Sequence, residues 1–308
     1  MSGKRVLVTG GAGYLGSHVV RMLKDVCNVT VYDNLLYTNE YLEDVSFING
    51  DVTNSLLLKI ALARADVVIW LAAIVGDAPC MVNPARAIAT NQEAVRTLAR
   101  FDGPIIFTSS CSVYGNYLGL AREDTQIHPL SLYAETKASA EEYLRDKNAL
   151  ILRMGTLHGT SRRMRFDLVV NTLTKKAVMD GTIQVFGGRQ YRPLLAVQDA
   201  AEFIAVKALG SWKSGIYNLA SENLSILEVA RKVKDYLPST HIIVLDSAYE
   251  DNRNYQADFS RAQDILGYHP GRSAKDSIAD IAALVSSRRI KDLSDIRYAN
   301  LMALQKGT

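Results

Sequence analysis

Tyr133-Ala-Glu-Thr-Lys137 sets a phenol and an ammonium four residues apart, a spacing that puts both on one face of a helix. A phenol at its ordinary pKa of about 10 is a poor base near neutral pH. Positive charge beside it favours the phenolate, so such a pair can take a proton from an alcohol and return it. A serine hydroxyl within reach would orient the alcohol and share the proton. Phe107-Thr-Ser-Ser-Cys-Ser-Val-Tyr-Gly115, upstream and directly after an apolar run, supplies such hydroxyls. The chain also carries its own control, because Tyr143-Leu-Arg-Asp-Lys147 repeats the spacing, and among 15 tyrosines a coincidence is expected. Position separates the two pairs. Tyr133 stands near the N-terminal end of its helix, after the serine loop, whereas Tyr143 reads as a surface or interface residue.

A second chemical feature comes much earlier. Thr9-Gly10-Gly11-Ala12-Gly13-Tyr14-Leu15-Gly16 lies between an apolar strand and a helical pattern. Two frames fit: glycines 11, 13 and 16 satisfy G-x-G-x-x-G, and glycines 10, 13 and 16 a wider three-residue spacing. Glycines in such a turn permit positive φ and bring backbone N–H groups close to a pyrophosphate at a helix N-terminus. The next strand ends at Asp33, where a carboxylate can accept hydrogen bonds from an adenosine ribose. It would repel a 2′-phosphate, and no arginine follows at once, so NAD is expected over NADP. Asp33-Asn34 is also a good turn dipeptide in its own right. With a dinucleotide bound, the tyrosine's chemistry becomes redox: hydride leaves a carbon as its hydroxyl proton passes to the phenolate. Oxidised nicotinamide then adds to the lysine's positive charge.

The elements that must hold these groups alternate. Apolar runs at 5–9, 29–32, 45–48, 66–71, 104–108 and 149–153 read as strands, with helices at 17–24, 85–101 and 133–147. Continuous apolar strands between helices predict a parallel, doubly wound sheet buried on both faces. The character changes after about residue 158. A polar loop, Ser161-Arg-Arg-Met-Arg165, holds the densest basic cluster, and the choice between solvated loop and contact with an anion stays open. Helices at 167–179 and 225–236, a strand at 242–245 and a mainly helical C-terminal stretch follow. The expected organisation is α/β: a dinucleotide-binding unit over 1–158 and a smaller substrate-binding unit over 159–308, some of whose segments return to the first.

Bulk properties fit a soluble globular chain: 308 residues, 48% hydrophobic, 22% charged and a net charge of +3 with no concentrated basic block. They point to no nucleic acid and no membrane surface as partner. No run approaches the ~20 apolar residues of a membrane span, and the N-terminal apolar strand is too short for a signal peptide. Cys27, Cys80 and Cys111 show neither metal-ligand spacing nor a disulfide framework. No metal site is therefore expected, and a reducing cytoplasm is the expected compartment.

These pieces, with Gly50-Asp51-Val52 and Leu71-Ala72-Ala73 at fitting intervals, resemble the extended short-chain dehydrogenase/reductase family. Within it the chain is similar to the NAD-dependent epimerase/dehydratase group that acts on nucleotide sugars. Arg189-Gln-Tyr-Arg-Pro193 with Val197-Gln-Asp199, and Gly215-Ile-Tyr-Asn218, extend the likeness over nearly the whole chain. The resemblance implies a Rossmann-type fold, NAD, a nucleotide-diphosphate sugar substrate, and a homodimer with the helices around 85–101 and 133–147 between subunits. It places the catalytic roles on Ser110, Tyr133 and Lys137. Cofactor contacts fall on Gly10, Gly13, Tyr14, Leu15, Asp33 and Asn34, on Asp51 and Val52 at the adenine, and on Leu71, Ala72 and Ala73. Asn91 would support the cofactor from the following helix, and Tyr133 and Lys137 touch it as well. Gly76, Thr156, Arg192 and Arg253 are implied on the substrate side. A guanidinium suits a diphosphate because it offers a fixed fork of donors, although each arginine would also serve as an ordinary surface ion pair.

Departures narrow the reaction. The family's 4,6-dehydratases carry Asp-Glu directly after the catalytic hydroxyl, where this chain has Cys111 and Ser112. Neither is a carboxylate acid or base at neutral pH, so dehydration is not expected. Ser112 also replaces the glutamate of related decarboxylases. Thr156 stands where many relatives have an asparagine on the substrate phosphate. Residues 74–80 should face the sugar, with Cys80 expected as a buried structural thiol, and Cys111 lacks a histidine partner that would make it a nucleophile. The expected function is a nucleotide-sugar epimerase acting at C4 through a transient 4-keto intermediate. A 4-keto sugar reductase consuming NAD(P)H is the alternative, and a non-catalytic dinucleotide-binding protein the second. The intact Ser110, Tyr133 and Lys137 set counts against the last.

Overall fold

Alternation inside each strand decides the architecture. Val6, Val8, Val29, Val31, Val67, Ile69 and Ile106 are buried in one apolar cluster. Their chain neighbours Leu7, Tyr32, Val68, Trp70, Ile105 and Phe107 are buried in another. Successive side chains of a strand point to opposite faces, so strands apolar at every position need cover on both sides. The computed structural model describes residues 3–38, 44–245 and 253–306, and it supplies that cover with helices.

In chain order the first half runs β1 (Arg5–Thr9), α1 (Gly16–Leu23), β2 (Asn28–Asp33), β3 (Ser46–Asn49), α2 (Ser55–Leu62) and β4 (Val67–Trp70). Next come α3 (Asp77–Val82), α4 (Pro84–Ile88), α5 (Ala94–Leu98), β5 (Ile105–Ser110), β6 (Asn116–Ala121), α6 (Leu132–Leu144) and β7 (Ala149–Met154). The second half continues with β8 (Thr156–His158), α7 (Val169–Asp180), β9 (Thr182–Phe186), β10 (Tyr191–Ala196), α8 (Val197–Leu209), β11 (Gly215–Leu219) and β12 (Glu222–Ser225). It ends with α9 (Ile226–Tyr236), β13 (His241–Leu245), β14 (Asn254–Ala257), α10 (Ser260–Leu266), α11 (Ala274–Ser286) and α12 (Asn300–Lys306).

The main sheet has the strand order β11-β7-β5-β4-β1-β2-β3, with every pairing parallel. This is the doubly wound, Rossmann-type order. Direction reverses between β1 and β4, and the carboxyl ends of strands at such a switch point open a crevice for ligands. β11 comes from the second half and completes one edge, Gly215 to Leu219 pairing with Leu150 to Met154. Smaller sheets, β12-β10-β8, β13-β9 and β14-β6, build the rest. The β14-β6 pairing sets Asn254 against Asn116 and so brings the segment at Arg253 toward the serine loop. No helix among the described residues is long and apolar enough to cross a membrane.

Two helices differ from the sequence expectation. The span 85–101 begins at Pro84, capped by Asn83, and is interrupted by a π-helical turn over Ala89–Glu93. That turn buries Asn91, whose amide holds both backbone groups of Ile74, accepting from its N–H at 2.8 Å and donating to its carbonyl at 2.9 Å. A π turn re-aims a side chain within a helix, and here it fixes the chain just past β4. The helix expected to reach residue 147 stops at Leu144, which leaves Lys147 outside it.

Candidate active site

A cleft of about 790 Å³ opens at the carboxyl ends of the parallel strands, between the glycine turn and the second half of the chain. It is within the range typical of ligand sites. Every residue implied at the site lines it except Asp51 and Asn91. Asn91 acts from behind, through Ile74. Asp51 is turned to its own loop: its carboxylate accepts from Thr53 N at 3.0 Å, from Thr53 Oγ1 at 2.8 Å and from Asn34 Nδ2 at 2.8 Å. Gly50 and Val52 line the cleft on either side of it.

The structure selects between the two glycine frames. Gly10 has φ of +73° and lies so close to β4's end that a Cβ would sit 2.7 Å from Ala72 N. A Cβ on Gly16 would run into the Gly10 carbonyl. Glycines 10 and 16 are thus required by backbone meeting backbone, whereas Gly11 faces the side chain of Val31. Asp33 closes the turn, its Oδ2 accepting from Ala12 N at 3.0 Å and its Oδ1 from Leu35 N at 2.8 Å. A bare turn, a helix start and a half-buried carboxylate at the end of β2 fit a dinucleotide: pyrophosphate at the turn, ribose at Asp33.

The candidate catalytic set is built along one face of α6. Ser131 caps the helix, accepting from Ala134 N at 3.3 Å, and its hydroxyl also donates to Asp77 Oδ1 at 2.5 Å. Tyr133 follows in the first turn and lines the cleft with Ser110, close enough for the two side chains to interact. One turn on, Lys137 is buried with its Nζ donating to Thr108 O at 2.8 Å and lying 4.9 Å from the centre of the Phe107 ring. One turn further, Glu141 accepts from Ser109 Oγ at 2.5 Å and from Arg153 Nη2 at 2.7 Å. The i, i+4, i+8 row therefore zips the helix to β5, the strand that carries the serines. Glu141 was not singled out from sequence. Its only sequence signal is that it continues the Tyr133 and Lys137 row.

Electrostatics at the pair follow from burial. Burial pushes the Tyr133 phenol well above its usual range, against Arg165 and the nearby Ser110 hydroxyl, which favour the phenolate. It also pulls Lys137 down to about 8, with Cys80 and Glu141 opposing. The protein's own charges do not lower the phenol as the sequence suggested, because desolvation of a phenolate outweighs them. Ser112, where relatives have a glutamate, donates from its hydroxyl to Ser110 Oγ at 2.9 Å and from its N–H at 3.1 Å. Cys111 is buried beneath, directed at Arg153 O at 3.1 Å. Cys80 is likewise buried, with Ile74 O at 3.3 Å. Neither thiol lines the cleft.

At the far end the implied substrate residues meet. Arg192 is buried over the Tyr255 ring and donates to Tyr191 O at 2.6 Å and Arg253 O at 2.5 Å. Arg253 forms an ion pair with Asp77, which follows Gly76 at the start of α3. Thr156 lines the wall at the first residue of β8. Asp77 lies within the stretch 74–80 expected to face the sugar, and its pairing with Arg253 is what the sequence does not show. The basic loop, by contrast, divides: Arg163 and Arg165 are buried and line the cleft, and Arg162 does not. The later motif residues are structural. Asn218 accepts from Tyr114 OH at 2.7 Å, and Asp199 accepts from Gly271 N and Arg272 N, each at 2.8 Å.

Residues 6–220 match the NAD dependent epimerase/dehydratase family. UDP-glucuronic acid decarboxylase 1 of Danio rerio is 28% identical over 294 residues, spanning 87% of this chain and 69% of that protein. A Bacillus subtilis (strain 168) protein described as uncharacterized UDP-glucose epimerase YtcB is 28% identical over 317 residues, spanning 92% and 98%. Among solved structures, MoeE5 in complex with UDP-glucuronic acid and NAD is similar at a TM-score of 0.79 and 26% identity, covering 93% of this chain and 100% of that one.

Proposed function

The chain belongs to the NAD dependent epimerase/dehydratase family, and we propose that within it the protein inverts C4 of a nucleotide-diphosphate sugar without net redox change. The observation that carries this reading is the state of the carboxylates lining the cleft. Asp33 is held by two backbone N–H groups. Asp77 is held by Ser131 and Arg253. Asp167 is held by Arg165, with both oxygens engaged at 3.0 Å. Elimination of water or loss of a carboxyl group calls for an acid or base beside the sugar, in addition to the tyrosine. Where relatives place one, this chain has a serine hydroxyl committed to Ser110.

Each side chain then has a part in a reversible oxidation. Tyr133 takes the proton of the C4 hydroxyl, Ser110 holds that oxygen and shares the proton, and the Lys137 charge stabilises the phenolate. The glycine turn and Asp33 would hold NAD, the family's cofactor, which would supply the hydride acceptor for C4 and the donor that returns it. The 4-keto sugar turns its other face, and Tyr133 returns the proton as C4 is reduced. Arg192, Arg253 and Thr156 hold the diphosphate meanwhile. The relatives' names point to a UDP-hexose as the first substrate to try.

Purified protein incubated with a panel of UDP-hexoses and no added cofactor should give the C4-inverted sugar by proton NMR. A 4-keto-6-deoxy product, a pentose formed with carbon dioxide, or a strict need for stoichiometric NADH or NADPH would overturn the assignment.

A further inference from the structure

Among the described residues, five arginines line the cleft. Arg86 pairs with Asp51 at 3.8 Å, and Arg192 and Arg253 lie with Tyr255 and Asp77 at the end just described. Arg163 and Arg165 sit on a loop that belongs to the second half of the chain but is stapled to the glycine turn. Tyr14 OH donates to Gly159 O at 2.6 Å, and Ser161 Oγ donates to Tyr14 O at 2.7 Å. His18 Nε2 donates to Thr160 O at 2.8 Å. The loop is thus anchored on the segment whose N–H groups open toward a pyrophosphate.

We infer that Arg163 and Arg165 clamp the pyrophosphate of the bound dinucleotide from the side opposite the glycine turn. The inference rests on the cofactor being bound at that turn. Its basis is the unbalanced charge at Arg163. The residue is 8% exposed, yet its Nη2 meets the neutral amide of Asn300 at 2.7 Å and its Nε has no hydrogen-bond partner. Its guanidinium lies 4.5 Å from the centre of the Tyr37 ring. The neighbouring carboxylate, Asp167, is already taken up in a two-point contact with Arg165. A buried guanidinium with no ion pair of its own, Asp167 and Asp33 acting on it only at longer range, is costly. An anion in the cleft with oxygens for both arginines removes that cost, and a pyrophosphate is such an anion. Position chooses between the two diphosphates that this cleft would take: the loop is held on Tyr14 and His18, and Arg163 stacks over Tyr37, four residues past Asp33. The consequence is a dinucleotide gripped by both halves of the chain, as suits a cofactor that is recycled without leaving.

Full-length Arg163→Met, and separately Arg165→Met, would be titrated with NADH by fluorescence and with UDP by calorimetry. Loss of one charge-assisted contact should weaken NADH by about ten- to a hundredfold, with UDP affinity within about twofold of the parent. Thermal unfolding without ligand controls for folding: Arg163→Met should melt no lower than the parent, since the buried charge is gone, while its stabilisation by NADH shrinks. Unchanged NADH affinity in both variants overturns the clamp. So does a loss confined to UDP, which would give this pair to the sugar nucleotide. A parent protein that binds no NADH at all overturns the cofactor site itself, a result distinct from the other two.

Discussion

Tyr133 with Lys137, and Tyr143 with Lys147, have the same spacing and begin on the same helix, but their surroundings have nothing in common. Ten residues of α-helix turn through about 1000°, which leaves Tyr143 roughly 80° away from the direction of Tyr133. Tyr133 looks into the cleft at Ser110, and Lys137 is fixed on the Thr108 carbonyl of β5. Tyr143 is turned to the preceding helical segment, its hydroxyl accepting from Arg96 Nη2 at 2.8 Å and Gln92 Nε2 at 3.2 Å. Lys147 follows the end of α6 and shares no helix face with anything. The spacing makes a pair possible, but only the helix face that meets β5 sets it in the cleft beside a serine hydroxyl.

Three perturbations would break or sharpen this contrast. The largest effect is expected at the hydroxyls: Tyr133→Phe should lower kcat/KM by about 10³ to 10⁴. Tyr143→Phe should leave it within about twofold and cost less than about 1 kcal/mol of stability, the value of one hydrogen bond. Steady-state kinetics on both proteins decide it, and comparable losses would dissolve the distinction.

Next in size is Glu141, the third residue of the Tyr133, Lys137 row, which holds Arg153 and Ser109 behind the cleft. Glu141→Gln leaves Arg153 buried without its counter-charge, and urea unfolding should show a loss of about 3 to 4 kcal/mol. A loss under about 1 kcal/mol would mean that the row does not hold α6 to the serine strand.

The smallest effect has the opposite sign. Lys137 titrates at about 8 in the folded protein, against an ordinary value of 10.5, because burial opposes its charge. Between those values the unfolded chain holds more protons than the folded one, so stability from this group rises with pH from about 8 to 10.5. Below 8 the full cost of burying the ammonium is present, up to about 3 kcal/mol. Lys137→Met should therefore be inactive yet melt higher than the parent at pH 7, an advantage that fades by pH 10.5. Lys147→Met should change neither property. A Lys137→Met protein that melts lower at pH 7 would show that the bond to Thr108 outweighs the burial.

Much of the fold was legible because its signals are local. Six apolar runs marked six of the seven strands of the main sheet, and β11 entered through the Gly215-Ile-Tyr-Asn218 motif rather than as a strand. The interrupted helix at 84–98 was not legible, since the π turn exists for a contact between Asn91 and Ile74, 17 residues away. The partners of Asp77, within the stretch expected to face the sugar, and the part played by Glu141 were not legible for the same kind of reason. Each matters through partners distant in sequence, Asp77 through Arg253 and Glu141 through Arg153 and Ser109. The basic loop at 161–165 gave no hint of which arginine turns inward.

Residue type and short spacing were enough to establish a glycine turn that admits a pyrophosphate, a carboxylate at the end of β2, a tyrosine and lysine one helical turn apart, and the lack of an acid beside Ser110. These are properties of a few consecutive bonds, and steric and chemical rules act on them directly. Which glycine frame meets backbone on both sides, which tyrosine faces the cleft, which carboxylates are already engaged and which arginines have no ion pair of their own were decided only in three dimensions. Those questions concern what lies opposite a side chain, and burial and electrostatics act between groups that the chain brings together from far apart.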